Sequence, residues 1–240
     1  MDFLTDYYTA LDEDSLQISA AQGSAFAKQV ADDFNPIHHA DSRRFCVPGD
    51  LLFSIAIARY GIREHMEFQF LDLLAADMPV IYPDNMEGAD LDLTIVNANG
   101  KATLGVHGRG AASKRESQAE SLVRNYVAFS GQNFPHILVP LMREQRVMFN
   151  PQRPLVIYQS MQLSLHHLEF DVVDVTLGET RLEINGKRGE ATLNFLLSNG
   201  DEELGHGHKI LIVSGLRDYD EEAIQAIQDE YAESKKRYQS

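Results

Sequence analysis

Cysteine is almost missing from this 240-residue chain: Cys46 stands alone, which excludes an intrachain disulfide framework. Basic residues are scarce as well. There are 21 Lys and Arg against 36 Asp and Glu, a formal net charge of −15. Such an excess opposes general attraction to nucleic acid or to anionic membranes. No stretch approaches the roughly 18 consecutive apolar residues of a membrane span. The opening Met1-Asp2-Phe3-Leu4-Thr5-Asp6 lacks the basic-then-apolar pattern of a secretory signal, so the cytoplasm is the expected compartment. What is present suits a globular protein. Hydrophobic residues make up 44% of the chain, ample for a core, and charged residues 24%. The length accommodates one large domain or two small ones.

Asn-Gly, the strongest short hairpin signal, occurs at Asn99-Gly100, Asn185-Gly186 and Asn199-Gly200, each beside strand-like sequence. The stretch 196–213 reads as strand, Asn-Gly turn and strand, part of a long antiparallel meander. Ahead of the first hairpin, Leu51-Leu52-Phe53-Ser54-Ile55-Ala56-Ile57-Ala58 is apolar nearly all round. If helical, over about 51–63, it is expected to be buried on most of its surface. Periodicity alone leaves a buried strand open. A buried helix followed by a meander is the element order of a hot-dog fold, and the chain shows this order twice. The second copy is expected to begin with a helix near 134–146 and continue through a strand at 155–168. The expected fold class is therefore α+β, a double hot-dog: two antiparallel sheets, each wrapping a central helix, packed as a pseudo-dimer. Its parts are an N-terminal half (1–110), a linker (111–118), a C-terminal half (119–217) and a terminal helix (218–240). In that helix Asp220 suits the cap, Glu221 and Glu222 the first turn, and Lys235, Lys236 and Arg237 the last. Ala223, Ile224, Ile227 and Tyr231 form a narrow apolar stripe that could dock on the body or on a second chain, making a homodimer possible.

The chemistry concentrates in Asp33-Phe34-Asn35-Pro36-Ile37-His38. On a continuous helix, residues five apart point about 140° from each other. Pro36 prevents this by pushing Asn35 out of the α region, so Asp33 and His38 can return to each other across a tight loop. A carboxylate and an imidazole sharing one water form a plausible general acid–base device. Asp-x-Asn-Pro is also ordinary turn chemistry, since Asp and Asn bond nearby backbone and Pro fixes φ. Soon after comes Pro48-Gly49-Asp50-Leu51, a glycine at what reads as a helix start. Gln132-Asn133-Phe134-Pro135-His136 repeats an Asn, a Pro and a His in the second half without the carboxylate, so one functional site per chain is expected.

The six-residue core, with 16–19 and 23–30 as its lead-in, resembles the signature of the R-specific enoyl-CoA hydratases and the wider MaoC-like dehydratase group of the hot-dog superfamily. That resemblance implies reversible hydration of a trans-2-enoyl thioester to a 3-hydroxyacyl thioester, with an acyl-CoA or acyl-carrier-protein substrate and neither cofactor nor metal. Asp33 would accept a proton from the attacking water, and His38 would hold that water and manage proton delivery to the α-carbon. The Gly49 N–H would face the carbonyl oxygen as it gains charge, and Asn35 would brace the loop. Asp50 would oppose that charge if it faced the pocket, and would simply stabilise the helix if it faced solvent. Two other functions fit the same fold: a non-catalytic acyl-CoA-binding protein and, by fold-level analogy, an acyl thioesterase.

Other polar residues carry less. His206 and His208 share one side of a strand and with His107 or His166 could bind a metal, though solvated imidazoles are the simpler reading. Cys46 reads as a small buried side chain rather than an activated thiolate. Lys114 and Arg115 could meet CoA phosphates, but charges in a linker usually meet water.

Overall fold

The structure, a computed structural model, describes residues 1–84, 90–152 and 154–239. The first half runs β1 (Thr9–Ala10), β2 (Ser15–Gln17), α1 (Ala20–Gln29), α2 (Gly49–Tyr60), β3 (Ile62–Phe70), β4 (Val80–Ile81), β5 (Leu91–Asn97) and β6 (Ala102–Ser113). The second half runs α3 (Glu116–Gly131), α4 (Leu138–Glu144), β7 (Val147–Met148), β8 (Val156–Leu165), β9 (Asp174–Asn185), β10 (Arg188–Asn199), β11 (Glu202–Ser214) and β12 (Arg217–Asp218). A last helix, α5 (Glu221–Gln239), closes the chain. Ser240, at the end of the expected helix, lies outside the described residues.

Repetition shows in the strand order. The first half orders its strands β4-β5-β6-β3 and the second β9-β10-β11-β8, the same connectivity in each. This is a double hot-dog of the α+β class. The two halves do not keep separate sheets, however. β3 pairs antiparallel with β8, matching Met66 to Leu163 and Phe68 to Met161. Among the described residues ten strands thus form one continuous sheet. Edge-to-edge joining satisfies the backbone of two strands that would otherwise be open edges. All three Asn-Gly pairs sit at hairpin ends, with Gly100, Gly186 and Gly200 at φ +74°, +60° and +59°, the left-handed conformation such turns require.

Helix α2 is buried nearly all round, from Leu51 to Ile57, as its apolar run predicts. It stops at Tyr60 rather than 63. Gly61 takes φ +77°, and a Cβ there would lie 2.4 Å from the Ser113 carbonyl oxygen, so the chain turns directly into β3. In the second half, the helix expected at 134–146 is present only as the short α4, and the central helix is α3. Ala119, Leu122, Val123, Tyr126, Val127 and Ser130 form the buried stripe of α3, which ends before residue 134. Pro135 forces Phe134 into extended backbone (φ −119°, ψ 132°), and the chain resumes helix only at Leu138. The stretch 111–118 accordingly holds the end of β6 and the first turn of α3, leaving Lys114 and Arg115 between them.

Candidate functional site

The Asp33 loop is built by short-range hydrogen bonds. Helix α1 begins with a reciprocal cap in which Ser19 Oγ accepts from the Gln22 N–H and Gln22 Oε1 from the Ser19 N–H. After α1, Asp32 takes φ +52° and the Asp33 N–H donates to the Ala27 carbonyl at 2.8 Å. Asp33 Oδ1 then accepts from the Asn35 N–H at 2.8 Å, and Asn35 Oδ1 from the Ile37 N–H at 3.2 Å. Pro36 opens a single 3-10 turn, Pro36–His38, capped by that Asn35 side chain. Asn35 therefore braces the loop.

His38 Nδ1 donates to the Cys46 carbonyl at 2.8 Å, leaving Nε2 facing Asp33 Oδ2 at 3.8 Å. That gap is too long for a direct hydrogen bond and fits a water held by both. Of the two carboxylate oxygens, Oδ1 is engaged by the loop and Oδ2 is turned to the imidazole. Both side chains keep some solvent contact, 21% for Asp33 and 15% for His38. Burial pushes the Asp33 carboxyl above its ordinary value; His38 and the Asn35 N–H oppose this, Asp50 adds to it and Lys209 opposes it. Cys46, buried beside the loop, has its thiol pushed up to about 11 by burial, so it is no ready nucleophile.

Gly49 opens α2, where its N–H has no acceptor within the helix. The space a Cβ would need is already filled: it would lie 2.9 Å from Phe70 and 3.2 Å from Tyr158. Glycine at this point lets two aromatic rings close over the helix start.

Asp50 neither caps α2 nor faces open solvent. It turns inward, and its Oδ2 accepts from Ser130 Oγ of α3 at 2.6 Å, while buried Oδ1 has no hydrogen-bond partner among the described residues. Ser130 in turn accepts from Nζ of Lys209 on β11. Lys209 is 2% exposed and lies 3.9 Å from the centre of the Tyr158 ring, whose hydroxyl meets that of Tyr126. Burial pulls the Lys209 ammonium below its ordinary value; Asp50 and Asp33 hold it up. A hydroxyl-bridged carboxylate and ammonium thus join the two halves beside the Asp33 loop.

Lys209, Ser130, Tyr126 and Tyr158 escape a reading by motif. One signal was present. On β11, Gly207, Lys209, Leu211 and Val213 share the buried parity, whereas His206 and His208 lie on the other. A lysine on the apolar face of an alternating strand breaks the binary pattern and marks a special site. His206 lies 6.4 Å from His166 between ring centres, and His107 pairs with Asp92 at 3.0 Å. Among the described residues no group of three His, Cys, Asp or Glu is placed to hold a metal. Nor is any described helix long and apolar enough to cross a membrane.

Fold and site together define a double hot-dog protein with a carboxylate–imidazole pair on the loop ahead of its first central helix. The chain belongs to the family described as "Protein of unknown function (DUF3581)", which matches residues 2–222. No curated protein matches it. Among solved structures, it is similar to a tesB protein of Mycobacterium avium subspecies paratuberculosis, at 9% identity and TM-score 0.47 over 88% of this chain and 98% of that one. It is similar to a conserved hypothetical protein of Mycobacterium tuberculosis described as having a double hotdog fold, at 10% identity and TM-score 0.47 over 83% and 93%. A MaoC-like dehydratase gives 9% identity and TM-score 0.41 over 83% and 95%.

Proposed function

We propose that this protein is a hydratase–dehydratase of 2-enoyl and 3-hydroxyacyl thioesters, a divergent relative of the MaoC-like group, acting on acyl-CoA or acyl-carrier-protein substrates. The observation that carries this reading is the 3.8 Å approach of His38 Nε2 to Asp33 Oδ2, with each partner's other polar atom engaged by the loop. One hydrogen of a water between them points to Asp33 and the other to His38. As the water oxygen adds to the β-carbon of the enoyl group, Asp33 takes its proton. The pair then returns a proton to the α-carbon, so water is added overall and both residues end as they began. A carboxylate raised above its ordinary value by burial is a stronger base, which suits this step. The thioester oxygen gains charge during attack, and in this reading the Gly49 N–H, free of an acceptor within the helix, would donate to it.

The test is hydration of crotonyl-CoA, followed by loss of enoyl absorbance, for the wild type beside Asp33→Asn and His38→Gln. Activity that falls about 10²-fold or more in both variants supports the pair. A folded wild type inert toward crotonyl-CoA and toward longer enoyl chains refutes it. One observation favours a second reading, a non-catalytic acyl-thioester-binding protein. Asp50 follows Gly49 and turns inward, so its negative charge opposes an oxyanion there. Thioester binding without turnover would support that reading.

A further inference from the structure

Helix α5 carries its apolar stripe to Tyr231 and there changes character. Ile224 is packed in the second-half core with Leu182, Leu193 and Val213, whereas Tyr231, two turns on, reaches the first half. Its ring lies between Phe34 and Phe134, with centres 6.0 and 5.7 Å away. Its hydroxyl accepts from the Phe34 N–H and donates to the Asp32 carbonyl, both at 3.2 Å. Those two backbone groups flank Asp33. One helical turn later Lys235 pairs with the Asp32 carboxylate, and Ser234 lies 3.3 Å from His39. Tyr238 packs on Phe34 and accepts from Gln29 at 3.0 Å.

We propose that Tyr231 is a positioning residue for the acid–base pair, fixing from the C-terminal helix the backbone on both sides of Asp33. This rests on the reading of Asp33 and His38 as that pair. The loop needs the help. Asp32 occupies a left-handed conformation, which carries a free-energy cost in a residue other than glycine that neighbouring contacts help to offset. The Asp33 carboxylate meets the imidazole only if Phe34 and Asp32 keep their places. Burial and the nearby Asp33 hold the Tyr231 phenol above its ordinary value, so it stays protonated and can donate.

The experiment uses the full chain and four proteins: wild type, Tyr231→Phe, Lys235→Met and, as a control on the exposed face of α5, Glu230→Ala. Three quantities are read: exchange of the Phe34 amide, NMR titration of the Asp33 carboxyl, and kcat and KM for crotonyl-CoA. In Tyr231→Phe, Phe34 exchange speeds up at least about tenfold as its acceptor is lost. Asp33 titrates closer to its ordinary value as water enters the loosened loop, and kcat falls about tenfold with KM little changed. Lys235→Met moves all three the same way by less and serves alone if Tyr231→Phe fails to fold; Glu230→Ala moves none. Unchanged Phe34 exchange and Asp33 titration in the folded variants would overturn the proposal, as would equal changes in the control. An inert wild type whose Asp33 and Phe34 still respond would refute the hydratase reading and leave the brace standing.

Discussion

Asp33 holds two properties that pull against each other. The burial that makes its carboxylate a better base also makes the ionised form costly in the folded state. Its folded pKa lies above the ordinary 3.8, so the native state binds the proton more tightly than the unfolded chain does. The associated stability is full below the ordinary value and is lost as pH rises through the raised one. Asp33→Asn removes this dependence. It is expected to melt at a higher temperature than the wild type at pH 8, and the gain should shrink toward pH 4, while hydration is lost. Melting curves at the two pH values decide it. A variant no more stable at pH 8 than at pH 4, relative to wild type, would show that burial of Asp33 carries no such cost. His38 and Asn35 were legible because both act within the loop, where Pro36 restricts the backbone whatever the rest of the fold does. Asp50 was not legible, because its direction depends on Ser130, eighty residues away.

Among the elements, two glycines mark close approaches that differ in what a side chain would meet. Gly131, the last residue of α3, would place a Cβ 1.7 Å from the Ala31 carbonyl oxygen, a rigid backbone atom just ahead of the Asp33 loop. Gly49 would meet only ring atoms of Phe70 and Tyr158, at 2.9 and 3.2 Å, which can yield by rotation. Gly49→Ala is therefore expected to cost about 1–3 kcal/mol, an overpacking penalty. Gly131→Ala should cost more and separate α3 from the loop. Urea unfolding of the two variants ranks them; equal midpoints would contradict this account of the α1–α3 junction. Helix α2 and the hairpins could be read from the chain, since an all-apolar run and Asn-Gly turns are local signals. The position of α3 was not legible, because its buried stripe ends just ahead of a proline-forced break and helix resumes beyond it at 138–144.

At the scale of the whole molecule, the two halves are joined by the β3–β8 pairing and by the Asp50–Ser130–Lys209 bridge. The ammonium comes from the second half and the carboxylate from the first, and both must be folded for either to be compensated. Lys209→Met leaves Asp50 buried without its cation and is expected to cost about 3–5 kcal/mol. Asp50→Asn combined with Lys209→Met should recover a large part of that loss, because no buried charge is left unpaired. A double-mutant cycle by chemical denaturation measures the coupling. Additive single effects would mean that the bridge does not link the halves energetically.

By itself the sequence determined the hairpins, the buried first helix and the loop that turns Asp33 toward His38. Each of these follows from residues within a few positions of one another, through φ restriction, turn chemistry or hydrophobic period. Only the tertiary structure decided that the sheets fuse at β3 and β8 and that Lys209 enters the core facing Asp50. It also decided that α5 reaches back to grip the loop through Tyr231. Those outcomes depend on contacts between residues about 80 to 200 positions apart, which pattern alone does not encode. Burial then sets how strongly each charge is felt, and burial belongs to the whole fold.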